Sequence, residues 1–277
     1  MAIGDPNRIN SNISSLNALN ALTDVNRQLE VSQLRLATGK RINEAADDPS
    51  GYSIATSFDQ RARGLSVTLG SVQTAENALN IGESALTNAN DILLSMRDLV
   101  VQGASDTLGT TERAAINTQL TTLRTEIDRI AQQTSFNGTA LLDGSFTSKR
   151  FQTGDTGSDN ISFSISGNFN STSIGLANVS VGDSTMACNS LASVNAAITI
   201  VTSQVQAIGS TVSRLRLVEN NLSIGITNTT AAKSRILDAD VAQEQANSTR
   251  LQILRQLATA QLAQANTSPQ SVLSLFR

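Results

Sequence analysis

Few residues of this 277-residue chain could perform chemistry. Histidine is absent, which removes the usual general base and the commonest ligand of zinc. The single cysteine, Cys188, can form neither an intrachain disulfide nor a cluster of thiolate ligands. The phosphate-binding patterns GxxxxGKS, GxxxxGKT and GxGxxG do not occur. The sequence therefore predicts a protein that is not an enzyme and that has no cofactor and no metal site.

Charge and hydropathy exclude two further classes of partner. The net charge is −3 and the pI is near 5, whereas binding to nucleic acid needs clustered lysine and arginine. No run of about 20 apolar residues occurs, so we expect no membrane span. Residues 1–10 lack a basic segment followed by an apolar one, so we expect no cleaved secretory signal. These observations predict no nucleic acid and no membrane among the partners.

The clearest structural signal is an apolar residue at every seventh position. Such a repeat keeps one narrow stripe facing a partner helix. It starts after Asp48-Pro49, where Asp48 fits an N-cap and Pro49 fits the first helical position, and it ends near Gly103. The predicted helix is roughly 75–80 Å long. The repeated positions are Phe58, Leu65, Val72, Leu79, Leu86, Leu93 and Val100.

The rest of the chain predicts two more helical segments with a short β-element between them. Apolar residues from Ile116 to Ile130 have helical spacing, with Thr110 or Thr111 as a possible cap, and helical spacing returns at Leu191. Between residues 151 and 181 the period becomes two, as in a half-exposed hairpin. We therefore predict a mainly α fold, in which long coiled-coil-like helices from both chain ends pack together around a small β-hairpin in the middle.

Both ends of the chain carry apolar stripes but no charge. No charged residue occurs from Ile9 to Thr23 or from Gln256 to Phe276. Helices that are polar without charge suit packing against copies of themselves, where a buried charge would be costly. The alternative is that both ends are partly disordered. The two interpretations are compatible if the ends are disordered in the monomer and become helical on assembly. The predicted assembly interface consists of Ile9, Ile13, Leu16, Leu22, Val25, Leu29, Leu251, Leu254, Leu262, Leu273 and Leu275.

Several motifs then point to one family. The stretch around Arg41-Ile42-Asn43 and Asp47-Asp48-Pro49-Ser50-Gly51 resembles the N-terminal signature of bacterial flagellins. Glu126-Ile127-Asp128-Arg129-Ile130 is similar to the second-helix region of that family, and Leu262-Ala263-Gln264-Ala265-Asn266 is similar to its C-terminal region. The signature residues are Arg41, Asn43, Asp47, Asp48, Pro49 and Gly51. The match covers most of the chain outside residues 145–190, so the chain resembles a short flagellin without large outer domains.

The resemblance implies a domain plan. Residues 1–43 and 239–277 would form the two halves of a helical domain that lines the inner tube of the filament. Residues 44–144 and 191–238 would form a core domain, and residues 145–190 a short variable β and loop region.

The resemblance also implies a structural subunit of the flagellar filament, which polymerises with itself into a hollow helical polymer for swimming motility. Its location would be extracellular, after export by the flagellar type III route without a cleaved signal. Further implied partners are the flagellar cap, hook-associated proteins and an export chaperone.

One segment implies a host receptor contact. Residues 94–102 match the part of flagellins that vertebrate Toll-like receptors recognise, with Arg97, Leu99 and Gln102 at matching positions. Ser95 and Gln119 replace charged residues of activating members, so we expect weak recognition or none. The alternative, that these residues only form a contact surface between subunits, is favoured over a receptor role.

Two rival interpretations remain open at this point. Hook-filament junction proteins, which are hook-associated, share flagellin-like ends, although they usually lack the Ser-Gly-Tyr-Ser-Ile-Ala found here at residues 50–55. A coiled-coil adhesin is a weaker alternative.

Overall fold

The computed structural model describes residues 12–274, with side chains at positions 12–267. In this range the chain forms five helices and four short strands, which confirms the predicted fold class. Packing divides the described residues into two compact units, residues 12–60 with 228–274 and residues 61–227. The elements in chain order are α1 (Ile13–Thr38), α2 (Pro49–Gly103), α3 (Thr110–Gln133), β1 (Ser135–Phe136), β2 (Thr139–Ala140), β3 (Lys149–Gln152), β4 (Asn160–Phe163), α4 (Ser184–Leu237) and α5 (Val241–Ser274).

The seven-residue repeat forms the buried face of α2. Its positions from Leu65 to Val100 are all buried, and Val72, Leu79, Leu86 and Leu93 have no exposed surface. Opposite them, α4 contributes a matching stripe that includes Val194, Val201, Ile208 and Leu215. These buried apolar residues belong to one core cluster, so the prediction that the long helices pack on each other is confirmed.

Three contacts show that α2 and α4 run antiparallel within residues 61–227. A Cβ added to Gly82 would lie 3.9 Å from Cδ1 of Ile208, and Gln73 donates to Glu219 at 2.7 Å. Arg216 pairs with Glu76 at 2.7 Å. Sequence numbers rise along one helix as they fall along the other, which defines the direction. α3 adds Ile116, Leu120 and Ile127 to the same core.

The start of each helix follows from local capping, with two differences from the sequence prediction. α3 begins after Gly109, which makes no side-chain capping bond, so the predicted cap at Thr110 or Thr111 is wrong. α4 begins at Ser184, seven residues before Leu191, because the Asp183 carboxylate accepts a hydrogen bond from the Met186 amide at 2.6 Å.

The two hairpins are small and use the expected turn chemistry. Asn137 and Gly138 have φ values of 48° and 77° and join β1 to β2, as expected of an Asn-Gly hairpin turn. β3 pairs with β4 in antiparallel register, with Phe151 opposite Ile161. Ile161 and Ile165 are buried whereas Ser162 is exposed, which confirms the predicted alternation.

Candidate assembly interface

α1 and α5 pack as an antiparallel pair. The Asn12 side-chain amide donates to the Ala265 carbonyl at 2.7 Å, and the Ser15 hydroxyl donates to Asn266 at 2.7 Å. Farther along, the Ser32 hydroxyl lies 3.5 Å from the Glu244 carbonyl. The two charge-free segments are thus joined by neutral hydrogen bonds, which avoid the cost of burying an unpaired charge.

The predicted interface residues divide between the seam of this pair and its outer surface. Leu29 and Leu251 are 3% exposed and lie in the seam, and Ser32 and Ser248 are buried beside them. Leu22, Val25 and Leu262 are half-buried, whereas Ile13, Leu16 and Leu254 are exposed. Ile9, Leu275 and the side chain of Leu273 lie outside the described residues.

Several apolar side chains on the outer surface of the pair are about half exposed. Leu16 is 57% exposed and Leu257 is 55% exposed, and Leu19 and Ile253 are similar. Leu16, Leu19 and Leu257 lie in the two charge-free segments, whereas Ile253 lies two residues before Arg255. Contiguous exposed apolar surface is typical of association sites, which makes the outer surface of the pair the candidate interface.

The two connections that join these helices to α2 and α4 are tied to each other. The Arg41 amide donates to the Leu237 carbonyl at 2.6 Å, and the Arg41 guanidinium donates to the Ile236 carbonyl at 2.9 Å. The Ala239 amide donates to the Gly39 carbonyl at 2.9 Å. Gly39 closes α1 with φ of 68°, a conformation that favours glycine. Sequence reasoning missed this tie, although the signature residue Arg41 makes two of its hydrogen bonds.

The remaining signature residues build the start of α2. Asp48 accepts from the Gly51 amide at 2.9 Å, and Asp47 accepts from the Asn43 amide at 3.0 Å. These backbone hydrogen bonds hold the pKa of both carboxyls below its usual range. Pro49 occupies the first helical position. Gly51 is buried, and an added Cβ would lie 2.7 Å from the Ile42 side chain and closer still to the Asp48 carboxylate, so a larger residue would displace both side chains.

The segment that matches the receptor-recognised region lies on α2. Arg97 and Gln102 are exposed and Leu99 is half-buried. Ser95 is also exposed, and its hydroxyl donates to the Asp91 carbonyl one turn earlier at 3.0 Å. The segment is therefore an accessible helical surface with one charged residue among the three matching positions.

Chemistry-bearing groups do not converge elsewhere in the described residues. Among residues 12–274, no three His, Cys, Asp or Glu side chains are grouped so as to hold a metal ion. Cys188 is an exposed free thiol. By length and composition alone, α4 contains a window of mean hydropathy 1.3 that is apolar enough to cross a membrane. Within that helix, Val194, Val201 and Ile208 face the protein core.

Comparison with known proteins gives a consistent result. The bacterial flagellin N-terminal helical region matches residues 9–147, and the bacterial flagellin C-terminal helical region matches residues 191–276. A flagellin of Bacillus subtilis (strain 168) is 35% identical over 98% of this chain and 100% of its own length. Flagellin FlaB1 of Treponema pallidum (strain Nichols) is 31% identical over 97% of this chain and 99% of its own length.

A solved structure shares the fold. The structure of a putative flagellar hook-associated protein from Vibrio parahaemolyticus aligns with a TM-score of 0.59, covering 69% of this chain and 100% of that one, at 15% identity. That likeness concerns the fold alone, whereas the flagellin relatives match along nearly the full length, so the hook-associated alternative is not favoured. The chain therefore belongs to the bacterial flagellin family and is a structural subunit of the flagellar filament.

Proposed function

We propose that the α1–α5 pair is the surface through which this subunit polymerises. The observation that carries the proposal is the combination of exposed apolar side chains and absent charge at the free ends of both helices. Leu16, Leu19 and Leu257, in the charge-free segments, are between 47% and 57% exposed, and Leu254, next to Arg255 just before the second segment, is 41% exposed. Two helices have only one mutual seam, so these side chains need further helices, which neighbouring copies supply.

Burial of these side chains gives polymerisation its driving force. A fully buried leucine contributes about 1.5–3 kcal/mol relative to an exposed one. Four leucines that are about half exposed would therefore contribute about 3–6 kcal/mol to each copy that joins, before the entropy of association is subtracted. The absence of charge matters as much, because a charged side chain facing another copy would be desolvated without compensation.

Removing either end tests this proposal. A chain without residues 1–35, or without residues 245–277, should stay soluble and helical, because the core of residues 61–227 is formed without these segments. Neither truncated chain should form filaments under conditions in which the full chain does. Filaments of normal appearance in electron micrographs of either truncation would contradict the proposal.

We further propose that the subunit is exported by the flagellar type III route without a cleaved signal and is located in the extracellular filament. The support is the match of residues 9–147 and 191–276 to the flagellin family. The intact mass of the protein sheared from filaments should equal the 29.1 kDa of the chain. A mass that is lower by the size of an N-terminal leader would contradict export without cleavage.

The flagellar cap, hook-associated proteins and an export chaperone are proposed partners on the same family grounds. Copurification of each candidate with the full chain and with a chain lacking residues 245–277 tests this proposal. Binding that survives the loss of the terminal helix would contradict a contact through α5.

Recognition by Toll-like receptors is proposed to be weak. Arg97 is the one charged side chain among the three matching positions, and Ser95 and Gln119 are exposed and uncharged. A receptor-reporter assay should give a stronger signal for a Ser95→Arg, Gln119→Glu variant than for the natural chain. Equal signals from the two proteins would refute the role of these positions.

A further inference from the structure

A groove with charged walls lies on one flank of the α1–α5 pair. Its volume is about 330 Å³, and Leu251 and Val31 are among its lining residues. Arg35 and Glu244 also line it, from α1 and α5 respectively. The groove therefore differs in character from the charge-free ends of the same two helices, because it presents both signs of charge together.

Two charged groups of this groove have a buried atom without a partner. Among the described residues, Nε of Arg35 and Oε1 of Glu244 are buried and make no hydrogen bond. The neighbouring charges are engaged, since Arg27 pairs with Asp24 at 3.2 Å and Arg250 donates to a nearby amide oxygen at 2.5 Å. Buried polar atoms are nearly always satisfied in folded proteins, so both side chains should turn toward an occupant of the groove that offers an acceptor to Arg35 and a donor to Glu244.

The opposite flank of α1 offers both groups. Glu30 and Gln33 are exposed and lie three residues apart, which places them on one face of the helix. At about 100° per residue, Glu30 is about 140° around the helix from Arg35, on the other side of the seam that contains Leu29. Glu30 supplies a carboxylate acceptor, and Gln33 supplies an amide donor.

We propose that the groove of one subunit receives the Glu30–Gln33 flank of a second copy of this chain. In this contact, Arg35 donates to Glu30 of the neighbouring copy, and the Gln33 amide of that copy donates to Glu244. A free inorganic anion satisfies Arg35 but not Glu244, whose carboxylate repels it. The contact joins two different surfaces, so it repeats along an open helical polymer rather than closing a dimer. This inference rests on the proposed polymerisation and names a contact within it.

A charge exchange tests the contact. Glu30→Arg and Arg35→Glu should each raise the critical concentration for polymerisation at least tenfold, because each places like charges opposite one another. The double variant Glu30→Arg, Arg35→Glu restores complementarity and should polymerise near the concentration of the natural chain. The matched control combines Glu30→Arg with Arg214→Glu, at an exposed position of α4. It has the same net charge as the exchange variant but no complement in the groove, so it should stay defective.

The outcomes separate this inference from the proposal on which it rests. If the natural chain does not polymerise, polymerisation through these helices fails as a whole. If the natural chain polymerises but the exchange variant does no better than the matched control, the contact is refuted and the broader proposal stands. Circular dichroism of each monomer checks folding. Should Arg35→Glu lose helix content, Gln33→Glu at an exposed position provides the same test. Adding Glu244→Gln to this variant should restore polymerisation. If polymerisation is not restored, the contact is refuted.

Discussion

Truncation of two leucines of α5 that are three residues apart should have different effects, one on the monomer and the other on polymerisation. Leu251 is 3% exposed and lies in the seam with α1, whereas Leu254 is 41% exposed on the outer surface of the pair. We expect Leu251→Ala to loosen the monomer and Leu254→Ala to leave the monomer intact while weakening polymerisation. The two substitutions remove the same atoms from the same helix, so each is the control for the other.

The magnitudes follow from burial. Truncating a buried leucine to alanine costs about 2–5 kcal/mol, and the seam residue should lie in this range. For Leu254, the surface still available for burial is the exposed 41%, and this share of the about 1.5–3 kcal/mol for a whole leucine is about 0.6–1.2 kcal/mol. Since 1.4 kcal/mol corresponds to a factor of ten, the critical concentration should rise about threefold to eightfold.

Two measurements separate the effects. Hydrogen exchange of the monomer should show faster exchange along α1 and α5 in Leu251→Ala and unchanged exchange in Leu254→Ala. Sedimentation of polymer at graded protein concentrations should give the higher critical concentration for Leu254→Ala. A Leu254→Ala protein that polymerises at the concentration of the natural chain would refute the view that the outer surface of the pair is buried between copies.

Three further changes have defined outcomes. Leu86→Ala should lower the unfolding free energy by about 2–5 kcal/mol in urea titrations, since Leu86 has no exposed surface, whereas Leu94→Ala, at a residue 42% exposed, should cost less than about 1 kcal/mol. The pKa of Asp48 is lowered in the folded protein, so its contribution to stability is present above the unfolded pKa of about 3.9 and is lost as the pH falls through the lower folded pKa. Amide exchange at Gly51 should therefore become faster below about pH 4. An exchange rate that does not depend on pH, after correction for intrinsic exchange, would contradict the cap. Arg113 is buried and donates to the Gly103 and Ser105 carbonyls at 2.8 Å, so Arg113→Ala should cost about 2–4 kcal/mol, and an unchanged urea midpoint would show that these carbonyls find other donors.

The periodicity of apolar residues was enough to identify the long helices, because the pattern requires only that one side of each helix be buried. The seven-residue spacing of α2 predicted a stripe that is buried from Leu65 to Val100, and the cap at Asp48 predicted its start. What periodicity cannot supply is the identity of the surface that a stripe meets. Phe169 and Leu176 are buried in the core of residues 61–227, although the Gly- and Ser-rich sequence around them predicted loops that flank a small β-element. Their burial depends on tertiary contacts such as Asp128 accepting from the Ser171 amide at 2.7 Å.

In the candidate interface, periodicity is even less able to predict which surface each apolar residue contacts. Leu251 and Leu254 both belong to the apolar pattern of α5, yet one contacts α1 and the other faces outward, and the sequence contains no signal that separates them. Charge is more informative than hydropathy here, because a charged residue tolerates neither position unless it is paired. Its absence at the free ends predicts that both faces become buried, and its presence at Glu30, Arg35 and Glu244 predicts that pairing there is specific. A filament subunit needs both properties, since apolar surface alone would stabilise association without fixing the position of one copy relative to the next.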